Sequence, residues 1–128
     1  TGEPEVLWRH ADACYEQSLL YHDGHVYIYN DTGIMICREA ESGEERWKVR
    51  LGGPVSASPI LAGGRIYAKN ERGITHVLAP DPEKFTKLAE NTLGAEGFAT
   101  SAFVGDVVYL RTADAAAERQ DWLYCLGE

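Results

Sequence analysis

The sequence contains no long apolar run and no excess of positive charge. No stretch approaches the ~20 apolar residues that a membrane-spanning helix needs. Twenty acidic residues against twelve basic ones give a net charge of −8, which argues against nucleic acid or anionic membrane as the main partner, because either would be repelled. The first residues lack the basic-then-apolar pattern of a secretory signal, so no such signal is expected and the localisation stays open.

Cysteine and histidine are few and scattered. The three cysteines cannot all pair within one chain, none forms a Cys-x-x-Cys motif, and no histidine stands at metal-ligand spacing from another ligand. Cys37 and Cys125 lie in apolar strands and are predicted to be buried structural thiols. The histidines are interpreted as polar surface, with His22 and His25 exposed beside a turn. Since no serine has Gly-x-Ser-x-Gly around it, we predict no catalytic, cofactor-binding or metal-binding residue.

What the sequence does contain is an internal repeat, the pattern that decides the fold when it is present. The segment 18–27 matches 58–67, and a version one residue shorter stands at 101–109. Each copy has a small residue first (Ser18, Ser58 and Ser101), then an apolar pair, a tight glycine turn and a strand ending in tyrosine. Glycine turns of this kind between two apolar runs predict β-hairpins. The serines are predicted to line the innermost strand, and Tyr27, Tyr67 and Tyr109 to pack between units.

The repeat extends further in the first two copies, since Asn30 to Ile34 matches Asn70 to Ile74. Glycine in this second turn favours a positive φ. A third and a fourth strand follow in each copy, the fourth at residues 46–51 and 85–90. Each full unit is therefore four antiparallel strands in about 40 residues, which is typical of a β-propeller blade.

The units predict an all-β chain of three blades, at residues 18–51, 58–90 and 101–126. The third blade has only three strands, and residues 113–120 replace its short turn with a longer loop, interpreted as one helical turn because of the alanines. Residues 5–10 read as an isolated fourth strand, in which Trp8 aligns with Trp47. We therefore predict that this N-terminal strand completes the third blade.

At these residues the chain resembles the pyrroloquinoline-quinone-type propeller repeats, from residue 5 to the end. The family's docking motif is Ala-x-Asp-x-x-Thr-Gly-Lys-x-x-Trp. The chain matches its spacing once, with one reversed charge at Glu44; the matching positions are Cys37, Glu39, Ser42, Gly43 and Trp47. The resemblance implies that Trp47, and by alignment Trp8, dock against a neighbouring blade. It identifies a three-blade piece, natural or engineered, of such a propeller.

The same resemblance includes quinone-dependent dehydrogenases, which hold the quinone and a calcium ion on the axis of a complete propeller. Their neighbouring cysteine pair is absent here, and three blades cannot enclose an axial cofactor. We therefore expect no cofactor and no enzyme activity. The alternatives left open are a part of such a dehydrogenase and a propeller that binds a small molecule or peptide.

Three blades do not close a ring, since propellers have roughly four to eight. We expect the chain to be its own partner, with the N-terminal strand of one copy added to the last strand of the next. Two copies would give six blades and three copies nine, and the dimer is favoured. The residues of these assembly strands are Val6, Leu7, Trp8, Trp122, Leu123, Tyr124 and Cys125.

Overall fold

The computed structural model describes residues 2–114 and 118–127, and every element of regular structure in these ranges is a β-strand. The described residues contain no helix long and apolar enough to cross a membrane. In chain order the strands are β1 (Leu20–His22), β2 (His25–Tyr29), β3 (Ile34–Glu39), β4 (Glu45–Arg50), β5 (Ile60–Ala62), β6 (Arg65–Lys69), β7 (Ile74–Leu78), β8 (Lys87–Thr92), β9 (Ala102–Val104), β10 (Val107–Ala113) and β11 (Asp121–Leu126).

The strands form three antiparallel sheets in which neighbours in sequence are neighbours in space. The first blade is β1-β2-β3-β4, the second is β5-β6-β7-β8, and the third is β9-β10-β11. The prediction of all-β, propeller-type blades is confirmed. One strand begins later than expected: the fourth strand of the second blade starts at Lys87 and not at residue 85, because the Phe85 ring turns inward against Trp47, 5.4 Å away between ring centroids.

The turns explain why each sheet is a meander. Gly24 and Gly64 have φ values of +74° and +69° in the two first hairpins, a backbone conformation that favours glycine. In the second turns, Asn30 and Asn70 use their side-chain oxygens to accept hydrogen bonds from the backbone nitrogens four residues later, at 2.9 and 3.2 Å. Both asparagine hydrogen bonds lie within one short segment, so the repeated sequence gives the same turn in both blades.

The strand register corrects the sequence alignment of the third copy. Tyr27, Tyr67 and Tyr109 each pair with the first strand of their blade, opposite Leu20, Ile60 and Ala102. The third copy is therefore not one residue shorter, and the counterpart of Ser58 is Thr100 and not Ser101. Hydrogen bonds agree, because Ser18 N donates to Ser58 Oγ at 2.8 Å and Ser58 N donates to Thr100 Oγ1 at 2.9 Å.

The main core fills the seam between the first two blades. Tyr27, Met35 and Cys37 on the first blade meet Ile66 and Leu78 on the second, all of them buried. Burial of large apolar side chains on both faces of a seam stabilises the contact by roughly 1.5–3 kcal/mol for each side chain. Of these seam residues, Tyr27 is one of the repeated tyrosines by which the sequence repeat was recognised.

The N-terminal segment, residues 2–19, forms no strand within the chain. The isolated strand expected at residues 5–10 is therefore not observed in the single chain, where this segment pairs with none of the described strands. The segment lies over the first blade and is held there by several hydrogen bonds and one ion pair. Asp12 pairs with the buried Arg38 at 2.8 Å, and Gln17 donates to the carbonyl of Tyr29 at 2.9 Å.

Several burial predictions need correction. Cys37 is buried as predicted, but Cys125 is exposed, because its face of β11 meets no other blade of the chain. His22 and His25 are half-buried, and His76 is buried between the first two blades. In the loop 113–120, Ala113 ends β10 and the Asp114 nitrogen donates to the Gln120 carbonyl at 3.0 Å. The helical turn predicted for residues 113–120 is not seen at residues 113, 114 or 118–120, and residues 115–117 lie outside the described residues.

Candidate functional site: blade docking and the open faces

Trp47 joins the first blade to the second. It stands in β4 opposite Cys37, and its indole nitrogen donates to the carbonyl of Asp81 at 2.8 Å. Its ring lies between those of Tyr27 and Phe85, with centroids 5.9 and 5.4 Å away. The contact combines apolar burial, ring packing and one satisfied polar group, which is how a tryptophan stabilises an interface best. These are the contacts expected of a tryptophan that docks one blade against the next.

The turn that contacts Trp47 lacks the glycine of the motif. Asp81 stabilises this turn with its side chain instead. Its side-chain oxygen accepts from the backbone nitrogens of Glu83 at 2.8 Å and Lys84 at 3.3 Å. Such an Asx turn fixes the backbone without a positive φ. The carbonyl of Asp81 is thereby held in place for the indole.

Trp8 makes the same contact with the first blade. Its indole nitrogen donates to the carbonyl of Ala40 at 2.8 Å. A Cβ at Gly43 would lie 2.6 Å from a ring carbon of Trp8, and Gly43 also has a φ of +73°. Glycine at this position is therefore required twice, once for the turn and once for the indole. The contact between a tryptophan and the turn of the next blade therefore occurs twice. Trp8 makes it with the first blade, and Trp47 of the first blade makes it with the second.

The remaining residues of the motif shape the turn that holds Trp8. Ser42 Oγ donates to the Glu39 carboxylate and accepts from the Glu44 nitrogen at 3.2 Å. Arg38 donates to the carbonyl of Gly43 at 3.1 Å from the opposite side. The motif is one continuous segment in sequence, but its residues contribute to two different interfaces between blades. Glu39, Ser42 and Gly43 receive the preceding tryptophan, while Cys37 and Trp47 act on the following blade.

The face of the third blade that points away from the second, called here the trailing face, carries Val104, Tyr109, Leu123 and Cys125. Tyr109 is the counterpart of Tyr27, yet it is 39% exposed where Tyr27 is 1% exposed. Leu123 is 75% exposed. The hydrogen bond of the Tyr109 hydroxyl to Cys125 raises the pKa of the tyrosine. The trailing face is chemically like the buried seam of the first blade, but no described residue covers it.

The outer face of the first blade, called here the leading face, carries Leu19 and Tyr21. Tyr21 is 65% exposed. Its counterpart in the third blade is Phe103, whose ring packs on Tyr67 of the second blade at 4.5 Å between centroids. In the third blade the ring at this position therefore lies on the tyrosine of the preceding blade, and Tyr21 has no such partner among the described residues.

The exposed apolar side chains are concentrated towards the two ends of the described chain. Most of the large ones lie in the N-terminal segment and leading face or in the third blade, and Leu88 and Phe98 are the exceptions. No group of three or more histidine, cysteine or carboxylate side chains that could hold a metal ion occurs within residues 2–114 and 118–127. The pattern of exposure points to contacts with another blade on both sides.

The sheets and their docking contacts define a segment of β-propeller. A PQQ-type family model described as outer membrane protein assembly factor BamB matches residues 3–119, and the chain belongs to this family. The comparison with curated proteins finds no match.

Two solved structures show the same fold. BamB from Moraxella catarrhalis is 16% identical with a TM-score of 0.60, and the match covers 73% of this chain. A europium-containing methanol dehydrogenase is 21% identical with a TM-score of 0.50 over 63% of this chain. The matches span only 28% and 15% of those two chains. Both are propeller proteins, so the recognition of a PQQ-type repeat is confirmed.

Proposed function

We propose that this chain is a non-catalytic interaction module whose trailing face binds the leading face of a second copy. The observation that carries the proposal is the docked position of Trp8. Trp47 reaches the turn of the second blade from a fourth strand of the first blade. Trp8 already sits in the matching turn of the first blade, so residues 5–10 lie where a fourth strand of a preceding blade belongs.

The repeat supplies the expected pairing between two copies. Cys125 pairs with Tyr109 as Cys37 pairs with Tyr27, so β11 is the counterpart of β3. In the first blade Cys37 stands opposite Trp47 and Met35 opposite Val49. By this template Trp8 of the second copy stands opposite Cys125, and His10 opposite Leu123. Strand addition of this kind gives affinity through backbone hydrogen bonds and specificity through alternate side chains.

The faces would then pack as the internal seams do. Tyr21 of the second copy would lie on Tyr109, as Phe103 lies on Tyr67. The contact is head-to-tail, and such contacts form a ring when the rotation closes. Two copies would give six blades, within the usual range of propellers, and three copies would give nine. We therefore favour the dimer, with the trimer as the next possibility.

Sedimentation equilibrium on the purified chain tests the proposal, with Leu123→Arg as the interface variant. A charge at this exposed position cannot be buried without a partner, so the variant is expected to be monomeric while the unmodified chain is an oligomer. Leu88→Arg is the matched control, because Leu88 is exposed on β8 and outside both faces. A monomeric unmodified chain, or an oligomer that Leu123→Arg leaves intact, would refute the assembly.

The alternative function is part of a quinone-dependent dehydrogenase, and the family likeness to a methanol dehydrogenase supports testing it. Pyrroloquinoline quinone and calcium are titrated into the purified chain while the absorbance of the quinone is followed. The interaction module is expected to give no saturable change. A saturable change would favour the dehydrogenase alternative.

A further inference from the structure

The seam between the second and third blades of the described chain contains a cavity. Its volume is about 160 Å³, and mostly apolar side chains line it. Tyr67 and Thr75 form part of the wall on the second blade, and Phe103, Val108 and Leu126 form part of the wall on the third. Both walls belong to one chain, so the cavity does not depend on the assembly proposed above.

The cavity has an identifiable cause in the repeat. In the first blade Met35 fills this place and is completely buried. The register makes Thr75 the counterpart of Met35 and Asn91 the counterpart of Val49, since each pair stands opposite its partner in the same ladder. Two larger apolar side chains are thus replaced by smaller or more polar ones. The facing blade keeps large side chains, Val108 and Leu126, and does not collapse into the space.

The shape and lining of the cavity select an occupant. An apolar protein cavity of about 150 Å³ stays dry and binds benzene, so this one has room for a single aromatic ring. The rings of Tyr67 and Phe103, 4.5 Å apart, form one end of it, and aromatic rings pack well on such a surface. Thr75 and Asn91 add a few polar atoms without a full charge.

We propose that this cavity binds a neutral single-ring aromatic molecule, which takes the place that Met35 fills in the preceding seam. Nothing in the assembly requires such a ligand, so the site would be a separate property of the chain. The polar atoms of Thr75 and Asn91 would tolerate one hydroxyl or amino substituent on the ring. A charged substituent would be disfavoured, because the lining offers no opposite charge.

Fluorobenzene is a suitable probe, followed by ¹⁹F NMR on the intact chain. The chain is expected to shift and broaden the fluorine signal in a saturable way. Thr75→Met restores the residue of the first blade, fills the cavity and is expected to weaken binding about tenfold or more, a loss of at least ~1.4 kcal/mol. Because it fills a void, the same variant should raise the melting temperature, which separates lost binding from lost folding.

Thr92→Met is the matched control. Thr92 is exposed on β8, pairs with Ile74 and lies outside the cavity lining. It should bind fluorobenzene as the unmodified chain does. The proposal is overturned if the unmodified chain gives no saturable signal, or if Thr75→Met and Thr92→Met bind equally well.

Discussion

The indole nitrogen of Trp8 lies 2.8 Å from the carbonyl oxygen of Ala40, the same distance that separates Trp47 from Asp81. The two tryptophans are 39 residues apart in sequence, and their contacts are equivalent in geometry. One is made by a strand residue and the other by a residue outside any strand. Docking by tryptophan therefore does not require the fourth strand to be paired, and it can place that strand before pairing occurs.

Replacing Trp47 by alanine should destabilise the chain strongly. The change removes the ring from between Tyr27 and Phe85 and leaves the carbonyl of Asp81 without its donor. We expect a loss of about 3 kcal/mol in the free energy of unfolding, measured by urea denaturation. Trp122→Ala is the control, because Trp122 is 47% exposed and its indole nitrogen donates to Asp114 on its own blade. Equal losses in the two variants would contradict the docking role of Trp47.

Gly33 and Gly24 form a pair that separates backbone strain from crowding. Both have positive φ, +81° and +74°, but a Cβ at Gly33 would lie 2.1 Å from the carbonyl carbon of Gly52, while nothing lies within 4 Å at Gly24. Gly24→Ala is expected to cost about 1–2 kcal/mol from the conformation alone. Gly33→Ala should cost clearly more or prevent folding. Thermal unfolding by circular dichroism gives the comparison, and similar melting temperatures would refute the crowding argument.

His76 should make the stability depend on pH in the mildly acidic range. Burial lowers the pKa of His76, and the nearby Glu90, with its carboxylate 3.3 Å from Nδ1, opposes that effect only in part. The unfolded chain then binds the proton more readily than the folded chain, so this contribution is complete above the ordinary pKa of about 6.5 and is lost as the pH falls below it. The loss can reach about 1.4 kcal/mol per pH unit.

The variant His76→Ile tests this, since Ile36 is the residue at the same position of the first blade. Its free energy of unfolding should vary less between pH 7 and pH 5 than that of the unmodified chain. Thr92→Ala, which removes no titratable group from an exposed position of β8, should leave the slope unchanged. If His76→Ile keeps the full slope, another group causes the pH dependence.

The ion pair of Arg38 and Asp12 should contribute more to the free energy of unfolding than an exposed ion pair does. Arg38 is 5% exposed, and Asp12 is the carboxylate that bonds to its Nε. Asp12→Ala leaves a buried guanidinium whose remaining carboxylate among the described residues is Glu45, at 3.5 Å, and should cost about 2 kcal/mol. Glu83→Ala breaks the exposed pair with Arg46 and should cost under about 1 kcal/mol. Chemical denaturation of both variants compares them, and a reversed order would contradict the argument.

The repeat made most of the fold predictable from sequence. Asn30 and Asn70, with the glycines after them, determine their turns through contacts within five residues, so the pattern and the geometry coincide. The docking turn was predictable for the same reason. That Gly43 receives Trp8 while Trp47 acts on the next blade was not, because a linear motif does not show which seam each of its residues serves.

What could not be predicted depends on neighbours outside the local segment. His76 looked like polar surface, but it stands where the first blade has Ile36, and alignment with that isoleucine is the signal that could have shown its burial. Cys125 looked buried because its strand is apolar, yet burial needs a blade on the other side. Thr112 occupies the position of Asn70, and its buried hydroxyl has no hydrogen-bond partner among the described residues, because Thr112 lies within β10 and not in a turn.

The hydrogen bonds at the starts of the blades all run one way. Ser18 donates its N–H to Ser58, and Ser58 donates its N–H to Thr100, so the earlier blade is always the donor and the later blade always supplies the hydroxyl. Contacts that follow this rule have a direction. In the assembly proposed above, two copies would therefore join through unlike ends, and a copy with a damaged leading face would still bind through its trailing face. Mixing such a copy with the unmodified chain would leave open pairs in place of closed ones, and their share would rise with its fraction.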